Sequence, residues 1–269
     1  MSAAMNARLD LILTELRLPS IKRLALDLCA QSDREGWPGS RLLEALFEHE
    51  MNEREVRRIE RRRAESVLSP DKRLSSFDFA AVPSVSKAQV MALAAGHEWL
   101  DRGASILLFG PPGVGKSHLI SGLGHALIDA GRRVLFMRCS ELVQRLQTAR
   151  RDLRLASELA KLDRFDLLVL DDLSYVRRDQ AETSVLFELI AERYERKSIA
   201  ITANTPFSQW GEVFVDAAMT VAAVDRLVHH STILEMNVES YRRRTAQAEQ
   251  SPAKRTRAAT TTTTTTAAN

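Results

Sequence analysis

One short segment restricts the possible folds of this chain more than any other feature of its sequence. It reads Gly110-Pro111-Pro112-Gly113-Val114-Gly115-Lys116-Ser117 and matches the pattern G-x-x-x-x-G-K-[ST]. The glycines allow successive backbone N–H groups to point at a phosphate without clashes from Cβ atoms. An apolar run at 105–109 predicts a buried strand before the segment, and apolar residues at helical spacing predict a helix over 117–130 after it. This context favours an α/β fold with a phosphate-binding P-loop at 110–117.

The last two residues of the P-loop are expected to contact ATP and Mg²⁺. The pattern places the Lys116 ammonium at the β- and γ-phosphates, and the Ser117 hydroxyl oxygen on Mg²⁺. The N-terminus of the following helix adds a partial positive charge beside the anion. A glycine-rich turn without a ligand is the alternative, and the strand and helix on either side argue against it.

The sequence after the P-loop alternates short apolar runs with amphipathic stretches. Residues 134–137, 167–170 and 199–202 predict further strands, and residues 182–197 predict a helix between the last two. Such alternation is typical of a parallel sheet with crossover helices on its faces. We therefore predict a domain with a parallel sheet flanked by helices over residues 69–245.

Polar residues follow two of these predicted strands. Asp171 and Asp172 come directly after the run at 167–170, and Asn204 follows the run at 199–202. We predict that Asp171 binds Mg²⁺ together with Ser117, and that Asp172 faces the γ-phosphate and orients or deprotonates the attacking water. An Asp side chain in the position of the base is shorter than a Glu side chain, so the attacking water would sit differently or farther from it. Slow hydrolysis is therefore expected. As an alternative, the two acids simply cap the strand before a turn. Asn204 precedes Thr-Pro and could be an ordinary turn residue. If Asn204 instead belongs to the site, it would hydrogen-bond water or the γ-phosphate.

The two ends of the chain differ from this α/β pattern. Leucines at three- and four-residue steps predict a small all-helical domain over residues 1–68, whose last helix spans about 41–64. Scattered Lys and Arg and a threonine run at 260–266 predict a disordered tail over 246–269.

Two groups of arginines are candidates for contacts with double-stranded DNA. The first has the spacing i, i+3, i+4, i+7 on the helix over 41–64 and consists of Arg54, Arg57, Arg58 and Arg61. We expect Glu53 and Glu60 to point away from that face. The second lies between the second and third predicted strands of the sheet domain and includes Arg150 and Arg151. Such stripes suit phosphate backbones, and the lack of interleaved aromatic residues favours duplex over single-stranded DNA. Solvated faces with Glu–Arg pairs are the alternative for both groups.

The composition of the chain excludes several classes of protein and of metal site. The net charge is +3, and the two cysteines, Cys29 and Cys139, have no Cys or His neighbour at metal-ligand spacing. Neither a disulfide framework nor a zinc site is predicted, and a reducing cytoplasm fits best. We identify no signal peptide and no membrane span. His229 and His230 are assigned to a helix face, because a metal site would need a third ligand.

Six segments, taken in their order and spacing, carry a resemblance to a known family. They are residues 110–119, 168–173, 201–204, 210–214, 224–231 and 239–242. In these segments the chain resembles the IstB-like helper ATPases of bacterial insertion sequences, which are related to the DnaC helicase loaders in the AAA+ superfamily. The resemblance covers residues 9–242, which is nearly all of the chain except its tail.

The resemblance implies an ATP-dependent, DNA-binding homo-oligomer that engages a transposase and directs it to target DNA, with hydrolysis resetting the assembly. It also implies that Asn204 is the sensor residue and that Arg226 is an arginine finger for the ATP of a neighbouring subunit. On residue pattern alone, Arg226 could instead form a surface ion pair. The family usually has a glycine where Val238 stands, which leaves a phosphate-sensing role of Arg242 open.

Two other functions stay open at this point. A helicase loader would use the N-terminal helices to hold a replicative helicase instead of a transposase. A metabolic P-loop kinase would need an arginine-rich lid or acceptor pocket and no self-assembly, and both the Arg226 motif and the helical N-terminus argue against it.

Overall fold

A parallel sheet with helices on both faces organises the chain. The computed structural model describes residues 3–173, 179–206, 210 and 216–238. Within them the helices are α1 (Ala3–Glu15), α2 (Pro19–Glu35), α3 (Gly39–Ser66), α4 (Lys87–Ala95), α5 (Glu98–Asp101), α6 (Lys116–Asp129), α7 (Cys139–Arg151), α8 (Leu155–Leu162), α9 (Gln180–Arg193) and α10 (Ala217–Val228). The strands are β1 (Ser105–Phe109), β2 (Val134–Arg138), β3 (Leu167–Asp171), β4 (Ser198–Ala203) and β5 (Ser231–Glu235).

The sheet has the strand order β2-β3-β4-β1-β5, and all neighbouring strands are parallel. The predicted parallel α/β architecture is confirmed, and the four predicted strands are present. The sequence pattern missed β5. Among the described residues this strand pairs only with β1, and it stays partly exposed, so its residues Ser-Thr-Ile-Leu-Glu do not form the continuous apolar run of a strand buried on both faces.

Side chains alternate between the two faces of the sheet, and each face has its own apolar layer. On β1, Leu107 and Phe109 enter the layer covered by α7, α9 and α10. Ile106 and Leu108 enter the opposite layer, which is covered by α4, α6 and the segment before α4. Because successive residues of a strand point to opposite faces, a strand with helices on both sides must be apolar at nearly every position.

The N-terminal helices form a smaller apolar cluster of their own around Leu13, Ile21, Ala25 and Leu46. The helix predicted over 41–64 is α3, which continues toward the sheet and contacts α6 and β2. The domain boundaries at 68 and 245 remain predictions, and the tail over 246–269 lies outside the described residues. None of the helices in the described ranges combines the length and apolar character needed to cross a bilayer.

A buried carboxylate holds the start of α2 against α3. Glu50 on α3 is 2% exposed, and its Oε2 accepts hydrogen bonds from the backbone N–H groups of Ser20 at 2.8 Å and Ile21 at 3.1 Å. Helix N-termini leave such N–H groups unpaired, and the preceding residue, Leu18, has no side chain that could cap them. Burial alone would raise the pKa of Glu50, but the Ile21 N–H group and Arg54 lower it below its ordinary value of 4.5.

Replacing Glu50 by Ala is expected to lower the free energy of unfolding of the N-terminal helices by about 1–3 kcal/mol, because two N–H groups lose their acceptor. The lowered pKa means that the stabilisation is fully present above the ordinary carboxyl pKa and is lost as the pH falls through the lowered value. Urea denaturation followed by circular dichroism measures both effects. Glu48→Ala, on an exposed position of α3, is the control and should change little. Equal unfolding curves for Glu50→Ala and wild type would contradict the capping role.

Candidate nucleotide-binding site

The P-loop connects the carboxyl end of β1 to the first turn of α6. Its backbone has positive φ at Gly110 (150°), Gly113 (85°) and Gly115 (103°). At Gly110 an added Cβ would lie 2.5 Å from the carbonyl oxygen of Met236, which directly follows β5. The loop can therefore turn beside β5 only with glycine at this position.

The Lys116 ammonium lies over the loop and is almost fully buried. Its Nζ donates to the carbonyl oxygens of Gly110 at 2.6 Å and Pro111 at 3.0 Å, and to Asn204 Oδ1 at 2.7 Å. Asn204 follows β4, the strand beside β1. The structure thus brings Lys116 and Asn204 together, as the order of the motifs predicts.

Ser117 and Asp171 are also brought together. The Ser117 hydroxyl lies 2.8 Å from Asp171 Oδ1 and 2.9 Å from Oδ2, at the carboxyl end of β3. One hydroxyl and one carboxylate, both with oxygen donors, are ligands that Mg²⁺ prefers, and Mg²⁺ commonly completes its shell with water and phosphate oxygens. These two residues therefore fit the predicted metal ion.

Sequence analysis missed Thr202, which connects the two acids of the site. The buried Thr202 hydroxyl donates to Asp171 Oδ1 at 2.6 Å and accepts from the backbone N–H of Asp172 at 3.0 Å. The available signal was a polar residue near the end of an otherwise apolar strand, β4. Such a residue is rarely buried unless its hydroxyl is hydrogen-bonded.

Asp172 differs sharply from its neighbour Asp171. Its backbone is in the left-handed region at φ 61°, and its side chain is exposed, whereas Asp171 is buried. Asp and Asn adopt this conformation more readily than most residues, and it turns the chain out of the strand. The structure therefore separates a buried carboxylate beside Ser117 from an exposed one at the same edge of the sheet.

A cavity of about 360 Å³ opens beside the P-loop. One side is formed by the P-loop and Asn204, and the other by the segment before α4. The residues of this segment that line the cavity are Lys72, Ser76, Phe77, Asp78, Ala81 and Val82. The segment packs closely on α6, because an added Cβ at Gly122 would lie 2.7 Å from the Leu74 backbone nitrogen. Its short turns have no periodicity, and only the apolar residues around Asp78 could have indicated a buried wall.

Arg226 lies at the opposite edge of the sheet. Its guanidinium packs over the Phe187 ring at 5.0 Å and donates to the Ala222 carbonyl oxygen at 3.0 Å. It lines a small pocket with Ser105 and Ile199, near the beginnings of β1 and β4. A five-residue strand extends roughly 13 Å. The chain's own P-loop is therefore out of reach of Arg226.

The first arginine group is tied into ion pairs along α3. Arg54 pairs with Glu50 at 2.9 Å, Arg57 with Glu53 at 3.1 Å and Arg58 with Glu55 at 2.9 Å. The prediction that Glu53 points away from this face is wrong. Glu53 is four residues before Arg57 and also pairs with Arg23 on α2, so packing of the two helices draws it to the basic face. Arg61 is exposed.

The second group lies on α7. Arg150 donates to the Ser184 hydroxyl at 3.0 Å and pairs with Glu188, both on α9. Arg151 is exposed and donates to the Thr148 hydroxyl at 3.2 Å. Arg150 therefore links two helices, and Arg151 is the more accessible of the two. Arg242 lies outside the described residues, while Val238 packs against the sheet core.

Comparison with known proteins agrees with the motifs. A family model described as IstB-like ATP binding protein matches residues 12–249. An insertion sequence ATP-binding protein of Sinorhizobium fredii (strain NBRC 101917 / NGR234) is 66% identical over 241 residues, covering 90% of this chain and 81% of the relative. The IS21 ATP-binding protein of Pseudomonas aeruginosa is 36% identical over 234 residues, covering 87% and 88%. The resemblance seen in the sequence is confirmed.

Solved structures show the same fold at low sequence identity. The crystal structure of DnaI superposes with a TM-score of 0.53 at 16% identity, covering 67% of this chain and 98% of that one. DnaA from Aquifex aeolicus, solved with AMPPCP, gives 0.52 at 19% identity, covering 64% and 51%. At such identities the similarity concerns the fold alone, and it confirms a parallel α/β domain with helices on both faces of the sheet.

Proposed function

Because the chain belongs to the family of IstB-like ATP binding proteins, we propose that it is an ATP-dependent helper of transposition. In this proposal it is an ATPase that assembles on double-stranded DNA, engages the transposase of its insertion sequence and directs it to target DNA. Hydrolysis of ATP then resets the assembly. Its relatives in Sinorhizobium fredii and Pseudomonas aeruginosa are described as ATP-binding proteins of insertion sequences, which supports a role in transposition.

One observation supports nucleotide binding above all others. The ends of three adjacent strands place Lys116 with Asn204, and Ser117 with Asp171 and Thr202, at one edge of the sheet. A cation, a neutral amide and an oxygen-lined metal position are the groups that a nucleoside triphosphate with Mg²⁺ requires. The lining of the cavity between the P-loop and the segment before α4 includes the apolar side chains of Phe77 and Val82, which suit a nucleobase.

The residues also suggest how hydrolysis is promoted. Ser117 and Asp171 would hold Mg²⁺, which supplies positive charge for the β- and γ-phosphate oxygens when bound. Lys116 adds a fixed positive charge, and Asn204 directs its amide toward the same region. The exposed Asp172 carboxylate is then the group that orients or deprotonates the attacking water.

The position of Arg226 supports assembly. Since its own P-loop lies at the other edge of the sheet, the guanidinium could reach only the ATP of a neighbouring copy. Head-to-tail contacts of this kind generate rings or filaments. ATP would then stabilise the contact between subunits, and hydrolysis would weaken it.

Sedimentation with duplex DNA tests this function. We expect the full-length protein to sediment with DNA when ATP and Mg²⁺ are present, and to retain a purified cognate transposase in the pellet. Loss of the nucleotide should release both. Sedimentation that is independent of nucleotide would overturn the proposed ATP-dependent assembly. Retention of a replicative helicase in place of the transposase would overturn the proposed partner and favour a helicase loader.

The same assay tests the DNA surface on α3. Replacing Arg57, Arg58 and Arg61 by Gln should weaken DNA binding and reduce the slope of log affinity against log salt by about 2 to 3, because each phosphate contact contributes about 0.9. The matched control changes the same three residues to Lys, which keeps the charge. If the slope does not change, the arginines serve the observed ion pairs or a protein contact rather than DNA.

A further inference from the structure

Three side chains with metal-binding groups meet on the surface near the amino ends of β1 and β4. Glu195 follows α9, while His229 and His230 connect α10 to β5. Glu195 Oε1 lies 3.8 Å from His229 Nδ1 and 3.7 Å from His230 Nε2. All three ligand atoms lie within 4.8 Å of one another. The sequence assigned the two histidines to a helix face for lack of a third ligand, and the fold supplies it in Glu195.

We propose that Glu195, His229 and His230 bind a transition-metal dication of the Zn²⁺ class. Two imidazole nitrogens and one carboxylate oxygen are a ligand set that Zn²⁺ accepts, with a fourth position left for water. Mg²⁺ prefers oxygen ligands, so the ion expected at the P-loop should not compete effectively for this site.

The two distances to Glu195 are close to those expected around a bound ion. Ligands about 2.0–2.2 Å from a tetrahedral ion lie about 3.3–3.6 Å apart. The two measured distances to Glu195 exceed this range by only a few tenths of an ångström. The side chains are half exposed, so small rotations can close the gap without any movement of the core.

The backbone around the three residues is held by regular structure. The His229 N–H donates to the Asp225 carbonyl oxygen at 3.0 Å, and the His230 carbonyl oxygen accepts from the Ser105 N–H at 2.8 Å. An added Cβ at Gly103 would lie 2.8 Å from the Glu195 carbonyl carbon, so the Glu195 turn packs directly on the chain before β1. A site supported in this way needs little ordering when the ion binds.

The buried Arg193 fixes the turn that carries Glu195. Its guanidinium is fully buried and donates to the carbonyl oxygens of Leu162 at 3.0 Å and Ser198 at 2.9 Å. It therefore ties the end of α9 to the end of α8 and the start of β4. An ion at Glu195 and the two histidines would join this fixed point to the end of α10, one turn from Arg226.

Tyr194 is the one neighbour in the described structure whose hydroxyl lies directly against a proposed ligand atom. Its Oη is 2.7 Å from His229 Nδ1, so the hydroxyl must give up this nitrogen when an ion binds. Tyr194→Phe removes that competing hydrogen bond without removing a ligand. This variant is expected to bind the ion at least as tightly as wild type.

Equilibrium dialysis of the full-length chain, free of any histidine tag and of nucleotide, tests the site with Zn²⁺ as the probe. We expect about one equivalent of Zn²⁺ per chain, unaffected by excess Mg²⁺, and a rise of several degrees in melting temperature at saturation. His229→Ala, His230→Ala and Glu195→Gln should each weaken binding at least about tenfold, because each removes a direct ligand.

Two controls separate this site from adventitious binding elsewhere. His97→Ala and Cys29→Ser remove other, partly buried donors, and both should bind Zn²⁺ like wild type. The three ligand variants should fold normally, since their side chains are exposed, and their melting temperatures without zinc check this. Absence of stoichiometric Zn²⁺ binding, or binding that persists in the ligand variants or is lost in Tyr194→Phe, would overturn the three-ligand assignment.

Discussion

Replacing Arg226 by Ala is expected to reduce ATP hydrolysis by about 10³-fold or more, while ATP binding by the chain stays intact. An arginine finger stabilises the charge that develops on the γ-phosphate only when subunits are docked. Because Arg226 lies near the beginnings of β1 and β4, removing its side chain leaves the contacts of Lys116 and Ser117 with Asn204 and Asp171 untouched. Steady-state phosphate release and binding of a fluorescent ATP analogue measure the two properties separately.

A mixing experiment shows whether Arg226 acts on a neighbour. Arg226→Ala supplies an intact P-loop and Lys116→Ala supplies an intact Arg226, and neither alone should hydrolyse ATP. In a random equimolar mixture, about one quarter of head-to-tail contacts would combine the intact P-loop of one chain with the arginine of the next. Hydrolysis should therefore return to about that fraction of the wild-type rate if mixed and wild-type assemblies are equally stable.

The control for Arg226→Ala is a second arginine at the same edge of the sheet as Arg226. Arg196 is exposed and forms ion pairs with Asp163 and Glu192, so Arg196→Ala removes a nearby charge without removing the proposed finger. It should hydrolyse ATP at nearly the wild-type rate. Full activity of Arg226→Ala, or a mixture as inactive as its components, would contradict action on a neighbour.

The regular, repeated features of the chain were predictable from sequence. Each buried strand needs an apolar run, and the P-loop pattern needs a strand before it and a helix after it. These requirements located β1, β3 and β4 and hence the edge where Lys116, Asp171 and Asn204 meet. The one-residue shifts at the ends of these elements do not change which side chains reach the site.

The features that were missed depend on contacts between distant parts of the chain. Thr202 is recognisable as a site residue only when β3 lies beside β4, because its hydroxyl contacts both Asp171 at the end of β3 and Asp172 after it. Phe77 became a wall of the cavity through packing of an irregular segment on α6. Glu195 joins His229 and His230 because α9 and α10 end at the same edge of the sheet. Periodicity within one segment carries no information about such encounters.

The second prediction with a large effect separates the roles of Asp171 and Asp172, the two acids at the carboxyl end of β3. Asp172→Asn should bind ATP as wild type does but hydrolyse it about 10²- to 10⁴-fold more slowly, which is the usual contribution of a general base. Asn is nearly identical in shape to Asp and also tolerates the left-handed backbone found at φ 61°. The substitution therefore removes the charge with little effect on the turn.

Asp171→Asn should behave differently, because Asp171 is buried and accepts hydrogen bonds from both Ser117 and Thr202. Its loss is expected to raise the Mg²⁺ concentration required for ATP binding, an effect absent in Asp172→Asn. Titration of nucleotide binding with Mg²⁺, beside hydrolysis rates for both variants, makes the comparison. If Asp172→Asn hydrolyses ATP normally, water must be activated by another group, and the two acids only end the strand. If it instead loses hydrolysis and still sediments with DNA in ATP, binding of the nucleotide is enough for assembly, and hydrolysis serves to end it.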